Sequence, residues 1–93
     1  MRFRLQFGMV KFSNILEAVL RGAADQNINF GDLRHVLSQL GFRERIKGGH
    51  FIFSKEGMAE IINLQPVGSK AKAYQVKQVR NLIVKYKLAG EKP

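Results

Sequence analysis

The most informative stretch of the chain lies near its middle and reads Lys47-Gly48-Gly49-His50-Phe51-Ile52-Phe53-Ser54-Lys55. The two glycines have no β-carbon, so they either close a β-hairpin or let a bulky polymer approach the backbone closely. His50 follows them directly, and histidine is the side chain best suited to exchange a proton near neutral pH. His50 is therefore either an ordinary strand residue or a reactive group at the start of a strand.

Hydrophobic alternation on both sides of the glycines predicts where His50 points. Phe42 and Ile46 share one face of the first strand, and Phe51 and Phe53 share one face of the second. If these four side chains pack against helices, His50 lies on the open face among basic side chains. The reverse register would expose two phenylalanines and lose several kcal/mol of apolar burial. We therefore expect His50 on the open face.

Apolar residues at helical spacing flank this β segment on both sides. They fall into three stripes: Phe12, Ile15, Leu16, Val19 and Leu20; Phe30, Leu33, Val36, Leu37 and Leu40; and Val76, Val79, Ile83 and Tyr86. Gly22 and Gly41 are placed to end the first two helices, and Asn29 is placed to cap the second. The third helix is predicted from about Tyr74 to Tyr86.

A third strand is predicted from about residue 59 to residue 65. It ends there because the next residue, Pro66, has no N–H to donate to a neighbouring strand. Residues 66–73 then form a loop that presents Lys70 and Lys72. This loop is either a solvated connector or, with the first turn of the helix that follows, a phosphate docking site.

The predicted fold is α+β, with helices packed on one face of a three-stranded antiparallel sheet in the order α-α-β-β-β-α. Ninety-three residues suffice for one domain. Residues 1–10 are expected to form a short edge strand or a disordered tail.

Charge is the unusual property of the composition. The net charge is +9, and ten basic residues but only three acidic ones lie between Phe42 and Leu88. Such a surplus favours a polyanionic partner, and a nucleic acid fits better than a membrane because no basic amphipathic helix carries exposed large apolar residues. Without cysteine, and with only His35 and His50 as histidines, neither a metal nor another cofactor is expected. No segment has the length of a membrane span, so we expect a cytoplasmic protein.

The chain resembles the HicA family of bacterial toxins over about residues 29–88. The resemblance implies one domain with a core (29–88), an N-terminal extension with one helix (1–28) and a tail (89–93). The resemblance rests on Gly41-Phe42, on Gly48 to Phe53, on Ile61-Ile62-Asn63-Leu64-Gln65-Pro66, and on Lys70-Ala71-Lys72 followed by Tyr74-Gln75-Val76. Gly48 and His50 match the family's glycine and essential histidine. Gly49 stands where serine is usual, and Phe51 replaces a frequent second histidine.

The resemblance implies a double-stranded-RNA-binding-domain-like fold and a toxin that cleaves mRNA as a metal-independent endoribonuclease, neutralised by a HicB-type antitoxin. RNA carries its own nucleophile, so one histidine can act as base or acid and contribute on the order of 10²–10⁴-fold. We expect His50 to be catalytic and Lys47 and Lys55 to flank the phosphate. The expected RNA-binding set is completed by Arg43, Arg45, Gly48, Gly49, Lys70, Lys72, Lys77 and Arg80.

The main alternative is a non-catalytic module of the same fold that binds RNA or DNA without cutting it. A structural role, such as association with the ribosome, is a further alternative. Both need phosphate contacts as a nuclease does, so composition does not separate them. The effect of replacing His50 does.

Overall fold

A helical layer and a sheet are formed by residues 2–90, which a computed structural model describes, with side chains from residue 11 onward. In chain order the elements are helix α1 (Arg2–Arg21), a 3-10 turn (Asp25–Asn27), helix α2 (Phe30–Gln39), strands β1 (Arg43–Lys47), β2 (His50–Ser54), β3 (Ile62–Leu64), β4 (Pro66–Val67) and β5 (Lys70–Ala71), and helix α3 (Ala73–Lys85). The predicted α+β class, with a three-stranded antiparallel sheet, is confirmed.

The main sheet has the strand order β1-β2-β3, and its register fixes the direction of His50. Lys47 pairs with His50 across the hairpin, and Phe51 pairs with Leu64 on the other side. Directly opposite residues project to the same face, and successive residues project to opposite faces. Phe53 and Leu64 are buried against the helices. His50 therefore lies on the open face, as predicted.

One hydrophobic core joins all three helices to the inner face of the sheet. Its largest fully buried side chains come from every layer: Val19, Leu33, Val36, Leu37, Phe53, Leu64, Val76, Val79 and Ile83. Truncating a buried leucine in such a core typically costs about 2–5 kcal/mol.

Both predicted end signals of α2 are confirmed. The Asp32 N–H donates to the Asn29 side-chain oxygen at 3.0 Å, so Asn29 is the N-cap. Gly41 has φ 95°, and the Phe42 N–H donates to the Leu37 carbonyl at 3.0 Å. This left-handed glycine ends the helix and turns the chain into β1.

The predicted burial of Ile46 is wrong. Ile46 is 54% exposed, and the other residues of β1, which lies at an edge of the sheet, are exposed as well. Polar contacts hold this part of the hairpin instead: Arg34 of α2 donates two hydrogen bonds, of 2.6 and 3.0 Å, to Glu44. The Arg34 guanidinium also lies 4.8 Å from the centre of the Phe51 ring, which packs edge-on against Phe30.

The segment 66–73 is also more ordered than predicted. Strand β3 ends before Pro66, but Pro66–Val67 then pairs with Lys70–Ala71 in a two-stranded hairpin. The Ala71 N–H donates to the Ile28 carbonyl and the Phe30 N–H donates to the Ser69 carbonyl, both at 2.9 Å. The segment before α2 thus fixes this hairpin, which adds two strands to the predicted order.

The predicted strand or disordered tail over residues 1–10 is wrong from Arg2 onward, because α1 begins there. Val19 of α1 is fully buried in the common core. Met1 and residues 91–93 of the predicted tail lie outside the described residues.

Candidate nucleic-acid interface

The Gly48-Gly49 pair forms the two-residue turn between β1 and β2, so the hairpin interpretation of these glycines is confirmed. Of these two glycines, Gly48 alone has a positive φ, of 63°, as the first residue of a type II′ turn does. No atom lies within 4 Å of the place where a β-carbon would stand on either glycine. The turn is therefore open to solvent and presents His50 beside Lys47.

His50 is exposed and makes one hydrogen bond, with Asn63 of β3. The distance between His50 Nδ1 and Asn63 Oδ1 is 3.1 Å. With the Asn63 side-chain oxygen as the acceptor, Nδ1 carries the proton of this bond. In the neutral ring, Nε2 then carries the lone pair, and it has no partner among the described residues. Asn63 thus selects the tautomer in which Nε2 can take up a proton.

A groove of about 290 Å³ opens beside His50, between β3 and α3. Its lining is rich in amide side chains and consists of His50, Ile61, Asn63, Gln65, Tyr74, Gln75 and Gln78. His50 is the only basic side chain in this lining, which includes no lysine, arginine or carboxylate. The groove can therefore accept a neutral polar group while a charged group stays at its rim.

Gln75 fixes the geometry of this groove. It is the one polar side chain that is buried in the part of the chain that the structure describes. Its oxygen accepts from the Gln65 N–H at 3.0 Å, and its nitrogen donates to the Asn63 carbonyl at 3.2 Å. These bonds tie the first turn of α3 to β3, so both walls of the groove are held together.

The open face of β1 carries three cations. Arg43, Arg45 and Lys47 alternate along the strand, so their side chains emerge on the same face about 7 Å apart. Because Lys47 pairs with His50, this face is the one that carries His50. We refer to Arg43, Arg45 and Lys47 as the β1 cations.

The β1 cations form no ion pair with any residue that the structure describes. The ion pairs there involve four other basic residues, in the pairs Lys11–Asp32, Arg34–Glu44, Arg80–Asp25 and Lys85–Glu60. The acidic side chains thus neutralise cations outside the open face. That face keeps its full positive charge, as a phosphate-binding surface requires.

The expectation that Lys55 flanks the same phosphate as Lys47 does not hold. Lys55 follows the end of β2 opposite to His50, and about 13 Å of strand separates His50 from Ser54. Its ammonium lies over Gly41, where an added β-carbon would be 2.7 Å from Nζ. Lys55 therefore faces the carboxyl end of α2, whose dipole favours a cation.

The two lysines of the second hairpin occupy different places. Lys72 precedes α3, and its ammonium donates to the Gln65 side chain at 3.4 Å, which brings it to the rim of the groove. Lys70 is half-buried in β5, pairs with Val67 and does not line the groove. Of the two, Lys72 is the one placed to contact a strand bound at His50.

Arg80 is not available for RNA, which corrects its predicted role. Its guanidinium donates to Asp25 at 2.9 and 3.1 Å and to the Val19 carbonyl at 3.0 Å. The bonds to Asp25 raise the pKa of Arg80 above its usual value. Arg80 thus joins α3 to the end of α1, whereas Lys77 is exposed on α3 without an ion pair.

A cluster around the carboxylate of Glu60 joins the segment just before β3 to the end of α3. Glu60 accepts from the Lys85 ammonium at 2.7 Å and from the Tyr86 hydroxyl. These two bonds, of which the one from Lys85 has the larger effect, lower the pKa of Glu60 to about 2. They raise the pKa of Lys85 and of Tyr86. None of these three residues lines the groove beside His50, so we interpret the cluster as structural.

Sequence reasoning missed the amide residues around His50. Asn63 alternates with buried Ile62 and Leu64, and that alternation places it on the open face with His50. Gln75 adjoins the apolar stripe of α3, which was a signal for a buried polar group. For Gln78 the sequence carries no signal.

A larger surface groove, of about 720 Å³, lies elsewhere, between α1 and the end of α3. It is mainly apolar, with Leu16, Leu20 and Ile83 in its wall, and it contains no histidine. We place the candidate site at His50 because, among the described residues, only there do a proton-exchanging group, unpaired cations and a polar groove meet.

No family model matches the chain, and the searches of curated proteins and of solved structures found no similar protein. Among residues 2–90, no helix is long and apolar enough to cross a membrane. The same residues contain no cluster of three or more histidine, cysteine or acidic side chains that could hold a metal ion.

Proposed function

We propose that this protein is a metal-independent endoribonuclease that cleaves single-stranded mRNA with His50 as its catalytic residue. The observation that carries the proposal is the position of His50. It lies exposed on a face that bears unpaired cations, and Asn63 holds its Nδ1 so that Nε2 is free.

In the proposed reaction the 2′-hydroxyl of the RNA attacks the adjacent phosphorus. A 2′,3′-cyclic phosphate forms, the bond from phosphorus to the 5′ oxygen breaks, and that oxygen leaves as a hydroxyl. His50 Nε2 takes the proton from the 2′-hydroxyl, or in its charged form gives one to the leaving oxygen. Lys47, directly across the hairpin, stabilises the negative charge that develops on the phosphate.

The resemblance to the HicA family supports a toxin of double-stranded-RNA-binding-domain-like fold. Its two departures from the family pattern lie away from Nε2. Position 51 faces the helices and packs against Phe30, so a histidine there would not join His50 on the open face. Position 49 has no neighbour within 4 Å of an added β-carbon, so glycine in place of serine leaves the turn intact.

A HicB-type antitoxin with an acidic surface is the proposed protein partner. Such a surface would cover the β1 cations and compete with RNA for them. The location that fits mRNA cleavage and this partner is the cytoplasm.

The test is cleavage of labelled single-stranded RNA in excess chelator, with the products analysed for their end groups. Cleavage should persist and leave cyclic phosphate ends, and an RNA with one 2′-deoxynucleotide at the cut position should resist cleavage there. Cleavage that stops in chelator, or that cuts the deoxynucleotide position equally well, would contradict the proposed mechanism.

One observation favours the alternative, a non-catalytic module that binds RNA or DNA. Among the described residues that line the groove, no carboxylate and no second histidine accompanies His50, so the partner acid or base is not evident. A pure binder would hold RNA without cutting it. His50→Ala would then change its affinity only slightly.

A further inference from the structure

The groove beside His50 is lined by two large apolar side chains that are strongly exposed. Tyr74 is 60% exposed and Ile61 is 64% exposed, and both line it. The other large apolar side chains that are strongly exposed among the described residues, Ile46, Val67 and Val84, lie outside it. An exposed aromatic ring thus stands among side-chain amides at the rim of a basic face.

The walls of this groove are fixed before any ligand binds. Gln75 joins β3 to the first turn of α3 and also contacts the Tyr74 hydroxyl, at 3.5 Å. Gln78, one turn further along α3, is exposed and uses none of its amide groups within the described part of the chain. A flat polar ligand would find a ring to stack on and an amide to bind its edge.

We propose that the groove binds one unpaired nucleobase of the RNA, stacked on Tyr74 and hydrogen-bonded at its edge by Gln78. The inference rests on the proposed function, since the phosphate next to that base would lie at His50. Proteins that recognise single-stranded RNA commonly stack splayed bases on aromatic rings and bind their edges with polar side chains.

Charge and size both fit this ligand. The base is neutral, as the groove lining is apart from His50, while the phosphates on either side can reach Lys47 and Lys72 at the rim. The volume, about 290 Å³, is at the lower limit of pockets that hold drug-sized ligands, so it suits a single ring system.

The binding test uses 2′-O-methyl RNA, which has no free 2′-hydroxyl and cannot be cut by the proposed mechanism. The affinity of the protein for this RNA is compared with its affinity for an abasic sugar-phosphate strand of equal length and charge. Tyr74→Ala should weaken binding of the RNA about tenfold or more, and should leave binding of the abasic strand unchanged. Tyr74→Phe keeps the ring and should bind as the wild type does.

Val84→Ala is the matched control, because Val84 is equally exposed on α3 but lies outside the groove. Circular dichroism confirms the fold of each variant. Equal binding of the RNA by the wild type and Tyr74→Ala would overturn the base pocket, and so would failure of the wild type to bind either strand.

The role of Gln78 is tested by base preference. The ratio of affinities for the four 2′-O-methyl homopolymers should change in Gln78→Ala. It should not change in Asn81→Ala, an exposed amide three residues further along α3. Unchanged ratios in Gln78→Ala would remove Gln78 from the proposal.

These results separate the pocket from the proposed nuclease. RNA cleavage without dependence on Tyr74 overturns the pocket and leaves the nuclease in place. Binding that depends on Tyr74, with no cleavage of ordinary RNA, supports the pocket and overturns the nuclease.

Discussion

The β1 cations should determine how strongly RNA binding depends on salt. Each phosphate contact on a single strand contributes a slope of about −0.7 to log K against log salt concentration. The β1 cations and Lys72 are expected to make four phosphate contacts. The wild-type slope should therefore be about −2.8. Replacing all three β1 cations by glutamine should reduce it to about −0.7, the share of Lys72 alone.

Fluorescence anisotropy with labelled 2′-O-methyl RNA measures this slope. When salt rises about fourfold, the wild type should lose about 50-fold in affinity and the triple variant about threefold. Arg21→Gln is the control for the loss of a positive charge outside the open face, because Arg21 is exposed at the end of α1 in the helical layer, and it should keep the wild-type slope. A triple variant with the wild-type slope would refute the assignment of the β1 cations to RNA binding.

Three further predictions concern the frame of the site. Asp25→Asn removes the ion-pair partner of half-buried Arg80 and should cost about 2 kcal/mol in urea unfolding, whereas an unchanged midpoint would show that the pair does not stabilise the fold. Glu60 has a pKa of about 2 in place of the usual 4.5, so it stabilises the fold above pH 4.5 and loses this effect as the pH falls towards 2. Glu60→Gln should therefore lower the melting temperature at pH 7 and match the wild type near pH 2, and a difference independent of pH would contradict this. Gly48→Ala should cost about 1 kcal/mol because of its positive φ, while Gly49→Ala should be nearly neutral, and equal costs would contradict the turn assignment.

Local patterns were sufficient to predict α2, α3 and the direction of His50, but not the first half of α1. Asn29, Gly41 and the apolar stripe of α2 act within one element, so sequence spacing alone defines them. The placement of His50 followed from the alternation of Phe51 and Phe53 in the same way. Such short-range rules depend on backbone geometry and not on the rest of the fold.

Contacts between distant segments were not predictable in this way. Arg80 is engaged by Asp25, which is 55 residues away, and no periodicity reports such a pairing. Lys55 is removed from His50 by the length of β2, a distance that depends on where the strand ends. Ile46 follows the apolar alternation but is exposed on an edge strand, and which strand lies at the edge depends on tertiary packing.

The central claim is that His50 carries out the cleavage, and a rate comparison tests it most directly. Cleavage of single-stranded RNA is measured for the wild type, for His50→Ala and for His35→Ala, a control that removes the other histidine, half-buried on α2. His50→Ala should fold, bind RNA within about twofold of the wild type and lose at least about 100-fold in rate, while His35→Ala should cut normally. Equal cleavage by His50→Ala, or none by the wild type, would contradict the claim.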